Sequence, residues 1–315
     1  MESFSAKLKA FMKLIEVIKE FKQIKKIKGS AVLVIKEIKE LKKIVKKWKK
    51  QNFTICLVPT MGYLHEGHLS LMKAARKNKK AKLIVSIFVN PMQFGANEDL
   101  ATYPRDLKKD RALCKKEGVD LIFAPSVKQL YPTNFKSFVD LNSLTDKLCG
   151  ASRKGHFRGV CTVLTKFFNI ITPNRAYFGQ KDAQQFAIVK QMTKDLNMPI
   201  KLKLCPIIRE EDGLAKSSRN VYLNKEERKA ALVLSRAVFL GQRLIEGGER
   251  RTKTVKDAML NVLQEESLAR IDYVELVEAN TIEELSSIKG DVLGAVAVYI
   301  GKTRLIDNFL LRGIK

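Results

Sequence analysis

The chain has no apolar run approaching the ~18 residues that a membrane-crossing helix needs. Its longest late run, residues 292–300, has the length of a buried strand. Eight prolines and one tryptophan in 315 residues, with 45% hydrophobic, exclude a disordered or low-complexity chain. That length can bury a large core and is expected to form two domains. Cysteine is sparse. Cys56, Cys114, Cys149, Cys161 and Cys205 form no C-x-x-C pair, and several lie in apolar stretches, which points to small buried thiols in a reducing cytoplasm. Residues 1–50 lack arginine but hold 16 lysines and 5 glutamates, the densest part of a net charge of +26. A mitochondrial transit peptide would be Arg-rich and acid-poor, so the segment fits that poorly. It could meet nucleic acid or an anionic surface. Interspersed glutamates and the lack of an aromatic stacking platform favour lysines on solvated helix faces instead.

Residues 1–30 read as a basic amphipathic extension. Residues 17–27 are repeated closely at 34–44, a period of 17, with Gly29 and Ser30 between the copies. Apolar residues at helical steps (Leu14, Ile15, Ile18, Phe21, Ile24) mark the first copy as a helix. Beyond Lys50, apolar runs at 55–58 and 83–89 flank a helical pattern at 69–77, a βαβ unit with a buried parallel sheet. Helices at 105–118, 160–171 and 182–196 lead into strands at 121–124, 176–178 and 200–208. This alternation predicts an α/β domain over 31–208, a Rossmann-like doubly wound parallel sheet. Helices at 225–246 and 252–266 and strands at 271–278 and 292–300 predict a smaller α+β domain over 209–315.

Three stretches carry chemistry. Histidine is rare, three in all, yet His65 and His68 fall together in Pro59-Thr60-Met61-Gly62-Tyr63-Leu64-His65-Glu66-Gly67-His68. This loop joins the first buried strand to a helix, where free amide N–H groups meet phosphates. A zinc site is the alternative, but the step is three where H-E-x-x-H has four, and no third ligand is evident. Phe178-Gly179-Gln180-Lys181-Asp182 again follows a strand and opens a helix, with Lys181 suited to a phosphate. Lys216-Ser217-Ser218-Arg219 offers two hydroxyls and two cations at the domain junction. The role of His156 is open.

Together these loops resemble the nucleotidyltransferase superfamily that includes class I aminoacyl-tRNA synthetases. With Ser86-Ile87-Phe88-Val89-Asn90-Pro91-Met92-Gln93-Phe94, Tyr103-Pro104-Arg105, Gly155-His156-Phe157-Arg158-Gly159-Val160 and Arg304-Leu305-Ile306-Asp307-Asn308, the chain resembles the pantoate–β-alanine ligase family from about residue 32 to 310. The resemblance implies condensation of (R)-pantoate with β-alanine through a pantoyl adenylate made from MgATP, with release of pyrophosphate and AMP. It assigns ATP contacts to Met61, Gly62, Tyr63, Leu64, His65, Glu66, Gly67, His68, Gly179, Gln180, Lys181, Asp182, Ile208, Lys216, Ser217, Ser218 and Arg219. His65, His68, Lys181 and Arg219 would serve catalysis. Gln93 and Gln185 would hold pantoate, with Asn90, Tyr103 and Arg153 lining its pocket and Asp110 a magnesium contact. A homodimer is also implied. Two departures stand out: Gln180 where many relatives carry Glu, and Lys216 where they carry an apolar residue. Another adenylate-forming enzyme on the same fold is the second reading, and a nucleic-acid or anionic-surface binder working through the extension is the third.

Overall fold

The structure, a computed structural model, describes residues 32–96 and 98–315. The extension and the first copy of the repeat lie outside the described residues. The second copy does not behave as one unit. Its first two residues fall in strand β1 (Leu33–Ile35) and its last seven in helix α1 (Ile38–Lys50), with Lys36 and Glu37 between them. On α1, Leu41 and Val45 are buried, while Lys39, Lys42, Lys43, Lys46, Lys49 and Lys50 stay exposed, so the lysines here are a solvated face.

The chain continues through β2 (Thr54–Thr60), α2 (Glu66–Arg76), β3 (Ala81–Ile87), a 3-10 turn at Pro91–Gln93, α3 (Leu107–Lys116) and β4 (Leu121–Phe123). Two short helices, α4 (Val127–Leu130) and α5 (Cys149–Ser152), precede α6 (His156–Ile171), β5 (Arg175–Gly179), α7 (Ala183–Asp195) and β6 (Lys201–Cys205). The six strands form one parallel sheet in the order β1-β4-β3-β2-β5-β6. Strands buried on both faces read as continuous apolar runs, as in β2 and β3. α1, α6 and α7 pack on one face through Leu41, Val45, Phe167, Ile171 and Ile188. α2 and the end of α3 pack on the other through Leu69, Met72, Ala75 and Cys114. β2 pairs with both β3 and β5, so the winding reverses between β2 and β5. In a doubly wound sheet the crevice outside that reversal is where ligands bind.

The second unit has α8 (Lys225–Ala230), α9 (Leu232–Glu246) and α10 (Thr252–Gln264) against an antiparallel meander of β7 (Ala269–Glu278), β8 (Gly290–Ile300) and β9 (Thr303–Ile314). Its core joins Val238, Ile245, Val255 and Met259 to Val274, Val296, Val298 and Phe309. Two expectations are corrected, and one strand goes unpredicted. The strand expected over 200–208 stops at Cys205, because Pro206 has no N–H for the ladder. The helix expected over 225–246 breaks for one residue at Ala231. β9 is a strand that the apolar pattern does not predict: two polar residues, Asp307 and Asn308, are buried at its centre and interrupt that pattern. The five cysteines are free and buried. Among the described residues no helix is long and apolar enough to cross a membrane.

Candidate active site

The loop after β2 is held from behind. Gly62 has φ +86°, a left-handed conformation that glycine adopts without a Cβ penalty, and a Cβ there would lie 2.9 Å from the Ile87 side chain. The next two amides, Tyr63 N and Leu64 N, donate to the two carboxylate oxygens of Asp110 at 2.9 and 2.7 Å. Asp110 is 1% exposed, and burial raises its pKa against the pull of those amides. It braces the loop and does not line the cleft, so the expected magnesium contact is not where the structure puts this carboxylate. Gly62, Tyr63, Leu64, Glu66 and Gln180 also fall outside the lining. The first three shape the loop. Glu66 pairs with Lys216 Nζ at 2.9 Å, and the Gln180 side chain donates to Asn308.

The remaining predicted residues meet on one cavity of about 230 Å³, far more than the ~10–15 Å³ that one water needs. Met61, His65, Gly67 and His68 come from the β2 loop, and Gly179, Lys181, Asp182 and Gln185 from the end of β5 and the start of α7. Ile208, Lys216, Ser217, Ser218 and Arg219 come from residues 206–222, the segment that crosses from β6 to α8; Asn90, Gln93 and Tyr103 come from the stretch between β3 and α3, and Arg153 from the end of α5. Phe88, Val160, Leu164, Phe167 and Phe178 supply an apolar lining that sequence reasoning did not single out, since it reads as ordinary core.

The tautomers of the paired histidines follow from their caps. The Gly67 amide donates to His65 Nδ1 at 3.1 Å, and the His65 amide donates to His68 Nδ1 at 3.3 Å. A backbone N–H can only donate, so both Nδ1 atoms are unprotonated and each neutral ring carries its proton on Nε2. Neutrality is enforced. Burial lowers the His65 pKa to about 2, with His68, Lys181 and Lys216 adding to the effect. Burial lowers that of His68 to about 4, with Lys181 opposed by Asp182. The pair therefore offers two N–H donors and no formal charge.

The cations differ in how far they are already paired. Arg219 makes a two-pronged pair with Asp99, at 3.0 and 2.7 Å. Arg153 pairs with Glu98, Nε to Oε1 at 2.8 Å. Lys216 lies 2.9 Å from both Glu66 and Glu210, and these partners raise its pKa. Lys181 has a 3.9 Å contact with Asp182, the loosest of these pairings. Ser217 Oγ caps the turn at Ser218–Tyr222, and Ser218 Oγ donates to Tyr63 O at 3.3 Å, which ties the crossing segment to the β2 loop.

In the stretch after β3, Asn90 is 1% exposed and its amide is committed to the protein. It donates to Gln93 Oε1 at 3.0 Å and Gly159 O at 3.1 Å, and accepts from Tyr131 Oη at 2.9 Å. It lines the cavity, and its amide holds the Gln93 side chain. His156 acquires a role: Nδ1 donates to Gln93 O at 2.8 Å, and Nε2 accepts from Arg153 at 3.0 Å. Burial, then Arg153, lowers its pKa to about 4, so it too is neutral. Buried neutral histidines make stability pH-dependent. Their folded pKa values lie below the ordinary ~6.5, so the unfolded chain binds more protons in that window. Their contribution is whole above about pH 6.5 and is lost as pH falls towards about 4. The melting temperature should drop steadily between pH 7 and pH 5, above the titration of ordinary carboxylates. A flat profile would contradict these buried neutral rings.

The sequence model of the family described as Pantoate-beta-alanine ligase matches residues 33–310. A pantothenate synthetase of Clostridium botulinum (strain Langeland / NCTC 10281 / Type F) is 57% identical over 268 residues, 85% of this chain and 95% of that protein. The chain belongs to the pantoate–β-alanine ligase family. It is thus a ligase. A pantothenate synthetase of Ruminiclostridium cellulolyticum is also 57% identical, over 84% of this chain and 94% of that one. The fold agrees with a crystal structure of pantothenate synthetase from Thermus thermophilus at a TM-score of 0.84 and 42% identity, covering 88% of this chain and 99% of that one. A Francisella tularensis pantoate-beta-alanine ligase complexed with beta-gamma ATP and beta-alanine matches at TM-score 0.73 and 34% identity, covering 89% of this chain and 98% of that one.

Proposed function

We propose that this cleft binds MgATP beside (R)-pantoate and joins pantoate to β-alanine through a pantoyl adenylate. The observation that carries this reading is the convergence on one cavity of two neutral Nε2–H donors, a loosely paired Lys181, the Ser217–Arg219 turn and the amides of Gln93 and Gln185. The donors, the lysine and the turn suit a polyphosphate. The amides suit a substrate with hydroxyls and a carboxylate, because they orient it without adding negative charge.

The pantoate carboxylate attacks the α-phosphate and pyrophosphate leaves. The amine of β-alanine then attacks the activated acyl carbon, the C–O bond to AMP breaks, and pantothenate and AMP are released. Two anions meet in the first step, so His65, His68, Lys181 and Arg219 act by offsetting charge as it builds on the phosphates. Neutral histidines do this through hydrogen bonds that strengthen as the oxygens gain charge. No protein nucleophile is required, since the adenylate is itself the activated species.

Magnesium enters this reading with its nucleotide. Among the described residues no group of three His, Cys, Asp or Glu could hold a metal, and Asp110 faces the loop. Such residues do not fit a resident ion, whereas magnesium is commonly held largely by substrate phosphates and water. Residues 31–208 would hold both substrates and residues 209–315 would act as the lid. Contacts from Ser218 to Tyr63 and from Lys216 to Glu66 across the cleft support that division.

The test is direct. Pure protein with ATP, magnesium and pantoate, without β-alanine, should exchange labelled pyrophosphate into ATP; adding β-alanine should yield AMP and pantothenate. Exchange that requires β-alanine would rule out a free-standing adenylate step. Gln93→Ala should lower kcat/KM for pantoate by the worth of one or two hydrogen bonds, about 1–3 kcal/mol, or roughly 5- to 150-fold. The KM for ATP should stay within about threefold. Equal losses for both substrates would remove Gln93 from the pantoate wall.

A further inference from the structure

The late stretch Arg304-Leu305-Ile306-Asp307-Asn308 is part of the family resemblance, but the proposed reaction gives it no task. It lies on β9, outside the main cavity. Its two consecutive polar residues are both buried, Asp307 at 2% and Asn308 at 4% exposure. Neighbours on a strand point to opposite faces, so each must find its own partner. Asp307 takes the guanidinium of Arg209 in a two-pronged pair at 2.6 and 2.9 Å. Asn308 turns to the other segment. Its Nδ2 donates to the backbone carbonyls of Gln180 and Lys181, both at 3.0 Å, and its Oδ1 accepts from Gln180 Nε2 at 3.3 Å. Carbonyls can only accept, so the orientation of the Asn308 amide is fixed by its partners.

These contacts join β9 to both cationic segments of the cleft. Arg209 begins the short hairpin, bridged Arg209 to Ala215, that returns the chain to Lys216–Arg219. The carbonyls held by Asn308 belong to the turn that carries Lys181. We propose that Asn308 is a positioning residue for Lys181, holding the lysine's turn against β9 so that the second unit sets where this cation stands over the nucleotide phosphates. The inference rests on the function proposed above and adds to it a residue from the far end of the chain. The carboxamide is specific to the task. Aspartate has the same shape but nothing to donate, and its charge would face two carbonyl oxygens. Alanine leaves those carbonyls without a partner.

The experiment compares the parent chain with Asn308→Ala, Asn308→Asp, Lys181→Ala and the double variant Asn308→Ala/Lys181→Ala. Readouts are kcat, KM for ATP and for pantoate, equilibrium binding of a non-hydrolysable ATP analogue, and melting temperature. Displacing a positioned group by about 1 Å costs on the order of 100-fold in rate. Asn308→Ala should therefore lower kcat by roughly 10- to 100-fold, with KM for pantoate within about twofold, and Asn308→Asp should lower it further. In the Lys181→Ala background the same change should cost less than about twofold, because coupled residues are not additive. It should also weaken analogue binding in the parent background and not in the Lys181→Ala background. Parent-like kinetics for Asn308→Ala, or equal losses with and without Lys181, would overturn the inference and leave a general stabilising role that the melting temperature would register. If the parent chain makes no pantothenate, the proposed function fails, while analogue binding still decides the link between Asn308 and Lys181. Failure of the parent to bind the analogue overturns both.

Discussion

Replacing His68 or Lys181 with alanine should lower kcat by roughly 10²–10³-fold, the loss expected when one pre-positioned donor to developing charge is removed, about 3–4 kcal/mol. The two substitutions differ in kind. His68 carries its proton on Nε2 because the His65 amide occupies Nδ1, and burial keeps the ring neutral with a pKa of about 4. Removing it also leaves the first turn of α2 without the reciprocal half of its capping box. Its loss should therefore appear in stability as well, by about 1 kcal/mol. Lys181 caps nothing and contacts Asp182 at 3.9 Å, so its loss should appear in kcat and in binding of the ATP phosphates with little change in melting. His68→Gln keeps an N–H donor and should recover part of the rate. Steady-state kinetics with both substrates varied, beside thermal melts, separates these outcomes. An unchanged kcat in either alanine variant would remove that residue from the charge-stabilising set.

The second large effect belongs to a residue with no side chain. Gly159 lies in the first turn of α6, where a Cβ would stand 2.3 Å from Met92 O, 2.5 Å from Met92 C and 2.7 Å from Gln93 N. All three are backbone atoms of the turn that carries Gln93, so no flexible side chain can yield. The same glycine's carbonyl accepts from Asn90, which holds the Gln93 side chain. Gly159→Ala must push turn and helix apart by about 1 Å, which moves Gln93 relative to the β2 loop and the Lys181 turn on which the proposed phosphate contacts sit. A displacement of that size costs on the order of 100-fold in rate, and overpacking costs about 1–3 kcal/mol in stability. The expected result is a fall of about 100-fold or more in kcat/KM for pantoate, with binding of an ATP analogue nearly retained. Parent-like pantoate kinetics in a folded Gly159→Ala protein would show that the Pro91–Gln93 turn does not set the pantoate site.

Much of this site is legible in the sequence, for a physical reason. A doubly wound sheet binds ligands at the ends of its central strands, so apolar runs that end in Gly- and His-bearing loops point to the cleft before any coordinates exist. The loops at 59–68 and 178–182 stand out on that ground, and both line the cavity. What is not legible depends on distance in the chain. Residue type and the family resemblance make Asp110 a metal contact, but it lies 46 residues beyond Leu64 and spends both oxygens on the loop. Asn90 is expected to line the substrate pocket, and only the fold reveals that its amide is taken up by Gly159, Gln93 and Tyr131. His156 has no role until the backbone of Gln93 is seen beside it.

The alternation of strands and helices, the three loops that meet on the cavity and the family can all be read from the chain alone, because they depend on local spacing and residue chemistry. Three properties come only from the folded arrangement: the protonation of the histidines, the degree to which each cation is already paired, and the union of β9 with the Arg209 hairpin and the Lys181 turn. They depend on burial and on contacts between residues up to 155 positions apart, as in Ser218 with Tyr63. Local spacing carries no record of such contacts.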